Sequence, residues 1–219
     1  MSMKSYSFKE SLEPIDKELN ARISRRESLI RDSRTVISLS SRSIVKIHTG
    51  QYDDAAKDLI LAKTQLKDLK KVASEDLAHY LVSPETEYVE ASVIKSVASG
   101  KAIPQYTDLN VSGAAYLLGL MDAVGELKRM VYDHIRKGDL QRASELFNLM
   151  EQLYVELSPF ALYDHVVQGF RHKLDVARAL LEGTRSAITE EVRRTELIKS
   201  INSLSKKLPE SPKRVGKLR

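Results

Sequence analysis

Isoleucine recurs at Ile23, Ile30, Ile37 and Ile44, with Leu29 and Val36 beside two of these positions. A seven-residue period keeps one apolar stripe on one side of a helix. No Pro or Gly interrupts the chain between Pro14 and Gly50, so the pattern predicts one long helix from roughly Ser11 to His48, closed by Gly50. Ala56, Leu59, Ile60, Leu66, Leu69 and Val72 carry a second helix over Asp53 to Val82. Ser83-Pro84-Glu85 reads as an N-cap, a proline at the first helical position and an acid in the first turn. That third helix should stop at Gly100, ahead of a loop over Lys101 to Asn110 that contains Pro104.

Tyr116, Leu117, Leu120, Met121, Val124, Leu127 and Val131 mark a fourth helix over Val111 to Lys137. Gly138-Asp139 separates it from a fifth, which runs through Leu157. After the break at Ser158-Pro159, a short turn around Tyr163 to Gln168 precedes a last long helix from Gly169 or Phe170. Neither an internal repeat nor a strand pattern is present. The expected architecture is all-α: an antiparallel bundle of six or seven helices forming one domain over residues 1–207. The Pro-containing, basic segment 208–219 reads as a flexible tail.

Composition narrows the function classes. Nine Gly and six Pro are few for 219 residues, and 30 % of the chain is charged, which suits helices with solvated faces. The absence of Cys removes disulfides and thiolate metal sites. The amino-terminal residues lack the apolar core of a signal peptide, and Ala114 to Met121 is far short of the ~20 residues that span a bilayer. A soluble, cytoplasmic protein is therefore expected, with no membrane partner. A net charge of +5 is compatible with a polyanion but does not demand one.

Four acids stand out from the solvated majority. Ile94 and Val97 mark the apolar face of the third helix, and helical spacing places Glu90 and Glu87 on that face. In the fourth helix, Asp122 is the only charged residue between Asn110 and Glu126. Glu126 lies one turn later on the same side, where like charges repel. Buried carboxylates are costly unless a cation or donors compensate. If the two helices meet, their acids could hold a hard divalent ion, Mg²⁺ or Mn²⁺, able to support phosphodiester hydrolysis. Simpler roles are also open: Glu87 can complement the dipole near a helix N-terminus, and Glu126 can pair with Lys128 or Arg129. No Glu-x-x-His pair, P-loop, dinucleotide turn or nucleophile elbow is present.

The same residues carry a resemblance. Glu87-Tyr-Val-Glu-Ala-Ser-Val and the fifteen positions from Tyr116 to Met130 (Tyr-Leu-Leu-Gly-Leu-Met-Asp-Ala-Val-Gly-Glu-Leu-Lys-Arg-Met) resemble the translin/Trax family, and its Trax branch in the acids. Arg26-Glu27, the stretch from Arg42 to His48, and Gly169-Phe-Arg-His-Lys-Leu-Asp-Val-Ala-Arg fit the family more loosely, the last looking like archaeal single-chain members. The resemblance implies a seven-helix fold assembling into a hollow homo-oligomeric shell, usually an octamer, that binds single-stranded RNA or DNA. It further implies Mg²⁺-dependent endoribonuclease activity, with Glu90, Asp122 and Glu126 catalytic and metal-binding, and Glu87 as a fourth member. The loop between the two acid segments is shorter here than in eukaryotic Trax, and translin's arginine- and histidine-rich gripping segment is not apparent.

The densest basic cluster is Arg22, Arg25, Arg26, Arg31 and Arg34 in the first helix, with Arg171 and Lys173 opening the last. Arginine forks suit phosphate, and such contacts would be independent of base sequence. They are the expected nucleic-acid contacts, although ordinary pairing with nearby acids is the competing account. Two other functional readings stay open: a binding oligomer without catalysis, in which the acids are structural, and a helical scaffold whose first helix serves only oligomer contacts.

Overall fold

A computed structural model describes residues 8–73 and 75–207. These form seven α-helices: α1 (Lys9–His48), α2 (Tyr52–Val72), α3 (Val82–Ala98), α4 (Tyr106–Leu109), α5 (Gly113–Arg136), α6 (Leu140–Leu157) and α7 (Phe170–Lys207). Short 3-10 turns occupy Glu75–Leu81 and Ser158–Tyr163. There is no strand among the described residues, and no described helix is long and apolar enough to cross a membrane. The basic tail expected at 208–219 lies outside the described residues.

Tight connections at Gly50 and Gly138, both with positive φ, fold α2 back along α1 and α6 back along α5. Several other boundaries differ from expectation. The second helix ends at Val72, because Ala73 turns extended and the chain tightens into the 3-10 turn that buries Leu77. Ser83 is not a cap: α3 begins at Val82, and Pro84 sits within its first turn, where backbone N–H groups have no intrahelical acceptor. The loop after Gly100 contains the one-turn α4, and the turn expected over Tyr163 to Gln168 is preceded by the 3-10 segment from Ser158.

The core-facing line of α1 takes in only one of the four periodic isoleucines, Ile44, which is buried. Leu29, Val36, Ser40, Ser43 and Ile47 are buried, whereas Ile30 and Ile37 are only half-buried and Ile23 is 51 % exposed. Ile23, Ile30 and Ile37 flank the packing line, and no other described helix buries the amino-terminal half of α1. Phe8, Leu12, Ile15 and Leu19 extend this exposed apolar stripe, and Leu197, Ile201 and Leu204 form another near the end of α7.

Sequential neighbours alternate in direction as expected, but the helices that meet in space do not all do so. Glu85 of α3 bonds to Ser112 at the start of α5, Gly119 lies against Thr86 and Val89, and Arg142 at the start of α6 donates to the Val97 carbonyl near the end of α3. The α3–α5 register therefore climbs in one direction, made possible by the return segment 99–112. α7 follows α5 in the same sense, with Lys173 at Asp122 and Tyr132 at the Gly183 carbonyl. α1 runs with α3, passing Tyr80 at Arg26 and Glu87 at Ser41. Four helices thus run together, α1 beside α3, α3 beside α5 and α5 beside α7.

Candidate active site and nucleic-acid interface

Co-directional packing brings one level of each helix to the same place. α3 supplies Glu87 and Glu90, α5 supplies Asp122 and Glu126, α1 supplies Ser41 and His48, and α7 supplies Lys173. The close approach of α3 to α5 depends on Gly119, one turn before Asp122. A Cβ there would come within 2.7 Å of both the Thr86 carbonyl oxygen and the Val89 side chain.

The acids differ sharply in their partners. Glu90 makes no hydrogen bond among the described residues. Burial and then the neighbouring charges of Asp122, Glu87 and Glu126 push its carboxyl up to about 8, opposed only in part by Lys173. Glu87 is also raised, first by burial and then by Asp122. Its one hydrogen bond, from the Ser41 hydroxyl, is long at 3.5 Å. Asp122 accepts a close contact from the Lys173 ammonium. Glu126 is held below the usual carboxylate range, chiefly by the His48 imidazole 2.5 Å from its Oε2; Arg129 stands 3.9 Å away. The result is a pocket of negative charge with too few donors.

All four predicted acids are therefore brought together, and the weak step of the sequence reading, whether their helices touch, is resolved by the parallel register. Among the described residues, no three of these side chains converge on a single point as they stand, and the ammonium of Lys173 occupies part of the space between them. A separate cleft of about 560 Å³, lined by Tyr106, Tyr116, Leu120, Leu153 and Phe160, is largely apolar and does not include these acids.

The basic candidates do not form one patch with the acids. Arg22 pairs with Asp76 at 2.7 Å, Arg26 donates to the Tyr80 hydroxyl at 2.6 Å, and Arg31 pairs with Asp32 at 3.0 Å. Arg25 and Arg34 make no ion pair among the described residues. Arg34 shares the 34–41–48 line of α1 and stands about 10 Å along the helix from Ser41, whereas Arg22 is about 28 Å away. On α7, Asp164 accepts a hydrogen bond from the Arg171 backbone N–H, supplying an acid at a helix end that otherwise carries cations. Lys173 lies in the acid pocket rather than on an open basic face.

Sequence reasoning missed Ser41 and His48 as members of the site. Their seven-residue spacing with Arg34 is present in the sequence, but the isoleucine period draws attention to another face of α1, and His48 stands out only as the end of the helix.

Residues 77–183 match the model of the Translin family. The chain is 32 % identical over 175 residues to the uncharacterized protein MJ0175 of Methanocaldococcus jannaschii, with 78 % of each chain covered. Among solved structures it is similar to AfC3PO in a complex with duplex RNA, at 31 % identity, TM-score 0.77, and coverage of 84 % of this chain and 97 % of that one. The apo-NeC3PO crystal structure shares the fold at 24 % identity and TM-score 0.73, covering 85 % of this chain and all of the other. With seven helices in this arrangement and a relative of this identity and coverage, the chain belongs to the translin family.

Proposed function

We propose that this protein is an RNA-binding, metal-dependent endoribonuclease that works as a homo-oligomer. One observation carries the reading: α3 and α5 run in parallel at a glycine contact and bring together four carboxylates, of which Glu90 has no hydrogen bond among the described residues and is pushed up to about 8. A pocket this short of donors is relieved by a cation. Its all-oxygen ligands, Glu87, Glu90, Asp122 and Glu126, suit Mg²⁺ or Mn²⁺. When bound, such an ion supplies Lewis-acid stabilisation of a phosphodiester and an activated water. The chain's own contributions are to keep Asp122 and Glu90 at one level and to offer Lys173 and Arg34 as cations near the strand.

RNA as the polyanion is supported by similarity to AfC3PO, whose solved complex holds duplex RNA. The sequence resemblance pointed to single strands, with single-stranded DNA as a further ligand, so both strand states belong in the test. Association of copies is supported by the exposed apolar stripes of α1 and α7, which are larger than a free surface favours. An octameric shell is the assembly that the family resemblance implies.

A second reading, nucleic-acid binding without cleavage, is favoured by the Lys173 ammonium at Asp122 and by the lack, among the described residues, of three converged metal-ligating side chains. Incubation of labelled single-stranded and duplex RNA with the purified protein, in Mg²⁺ or in EDTA, separates the two. Cleavage that requires the metal and falls at least 100-fold in a folded Asp122→Ala variant supports the nuclease. Retention of RNA without product under every condition would replace it with the binding protein.

A further inference from the structure

His48 is the final residue of α1, yet its imidazole does not point to solvent: the side chain is only 4 % exposed. It reaches across to α5, where Nε2 lies 2.5 Å from Glu126 Oε2 and Nδ1 lies 3.9 Å from Asp133 Oδ2. Glu126 and Asp133 are seven residues apart on one face of α5, so a single ring sits between carboxylates two turns apart. Asp133 is itself held at its other oxygen by Arg136, at 2.9 Å. Ile47, Ala98 and Met130 line the same small cavity as the ring, so a leucine at this position would still have apolar neighbours. What a leucine could not supply is the N–H donated to Glu126.

That bond distinguishes Glu126 from the other three acids. Glu90 has no hydrogen-bond partner among the described residues, Glu87 has a long bond from a hydroxyl, and Asp122 contacts a flexible lysine. Glu126 is anchored by a rigid, buried donor through one oxygen, Oε2, which leaves Oε1 without a hydrogen bond among the described residues. A flexible glutamate tethered in this way loses its rotamer freedom before any ligand arrives. Groups that orient a ligating side chain commonly affect metal affinity as much as ten- to a hundredfold.

We propose that His48 is a positioning residue of the acid site: its imidazole holds Glu126 by one carboxylate oxygen so that the other is presented to a divalent cation. This rests on the metal-site reading above. It goes beyond that reading by assigning a role to a residue outside the acid set.

The test is Mn²⁺ binding to the full-length protein, followed by electron paramagnetic resonance of the free ion, for wild type, Asp122→Ala, His48→Leu, His48→Asn and His48→Gln. Circular dichroism checks folding of each. Glutamine is long enough to place an amide N–H near Glu126, and asparagine is too short. The expected result is a roughly 10- to 100-fold loss of Mn²⁺ affinity in the Leu and Asn variants, with most of it restored in Gln. A purely structural histidine would not produce the Asn–Gln difference. If His48→Leu does not fold, the Asn and Gln variants carry the same decision. Wild-type affinity in folded Leu or Asn variants, while Asp122→Ala loses the ion, would overturn the role of His48 and leave the metal site standing. Failure of wild type to bind Mn²⁺ any better than Asp122→Ala would overturn both.

Discussion

Asp58 and Glu85 are more deeply buried than any of the four acids in the candidate site, at 4 % and 3 % exposed, yet they are the better-satisfied carboxylates. Asp58 receives two hydrogen bonds from the Arg42 guanidinium and a third contact from Lys46, which hold it down to about 2. Glu85 accepts from the Ser112 backbone N–H and hydroxyl and pairs with Lys70. These two acids join α1 to α2, and α3 to both α2 and α5. Glu87 and Glu90, on the same helix as Glu85, face a space with one long hydrogen bond between them. Depth of burial does not separate structural from functional acids here; the number of donors does. A carboxylate with both oxygens engaged is cement, whereas one left short of donors is available for a ligand.

The strongest way to break the contrast is to treat the two sets alike by removing charge from each. Asp58→Asn should destabilise the protein by about 3 kcal/mol at pH 7 in urea unfolding, at the lower end for a broken buried pair because Arg42 is half exposed. The sign in pH follows from the lowered carboxyl. Its contribution is present above an ordinary value near 3.8 and is lost as pH falls through about 2, so wild type and variant should converge at acid pH.

Glu90→Gln should act in the opposite direction. In the folded protein Glu90 binds its proton more tightly than an ordinary glutamate near 4.5. Its stabilising contribution is therefore full below that pH and is lost as pH rises through about 8. In EDTA at pH 8.5 the variant should be more stable than wild type by about 1–2 kcal/mol, and by much less at pH 5. Equal stabilities across that range would show that Glu90 is better satisfied than its surroundings indicate.

The smallest effect is expected at Lys173→Met, below about 1 kcal/mol in unfolding, because both partners of this ion pair are partly exposed. Its value lies in sharpening the comparison. Without the ammonium at Asp122, Mn²⁺ should bind a few-fold more tightly, since a competing cation has been removed. Unchanged Mn²⁺ affinity with weakened RNA binding would instead make Lys173 a phosphate contact.

Much of this was legible in the sequence, at the level of single helices. Helical spacing placed Glu87 and Glu90 on the apolar face of α3, and the isolation of Asp122 in an apolar run marked it as inward. The meeting of these helices was not legible. Their parallel register is set by Gly119 against Val89 and by the return segment with α4, neither of which leaves a periodic signal. Glu85 reads in the sequence only as a first-turn acid, because nothing local announces a bond to Ser112, which lies 27 positions away. The isoleucine period of α1 misled for a related reason: periodicity reports that a face is apolar but not which helix, if any, covers it.

The parallel course of α1, α3, α5 and α7 has a consequence for how the protein is made. A site built from neighbouring hairpins could form early, from whichever stretch of chain emerged first. Here, Ser41 and Lys173 belong to one pocket, and about two thirds of the domain lies between them in sequence. Contacts this distant close late, after the loop entropy of the intervening chain has been overcome. During synthesis the acids of α3 and α5 emerge before α7 can place an ammonium among them. The pocket is therefore among the last features to mature, and its ability to hold a ligand reports on completion of the whole fold.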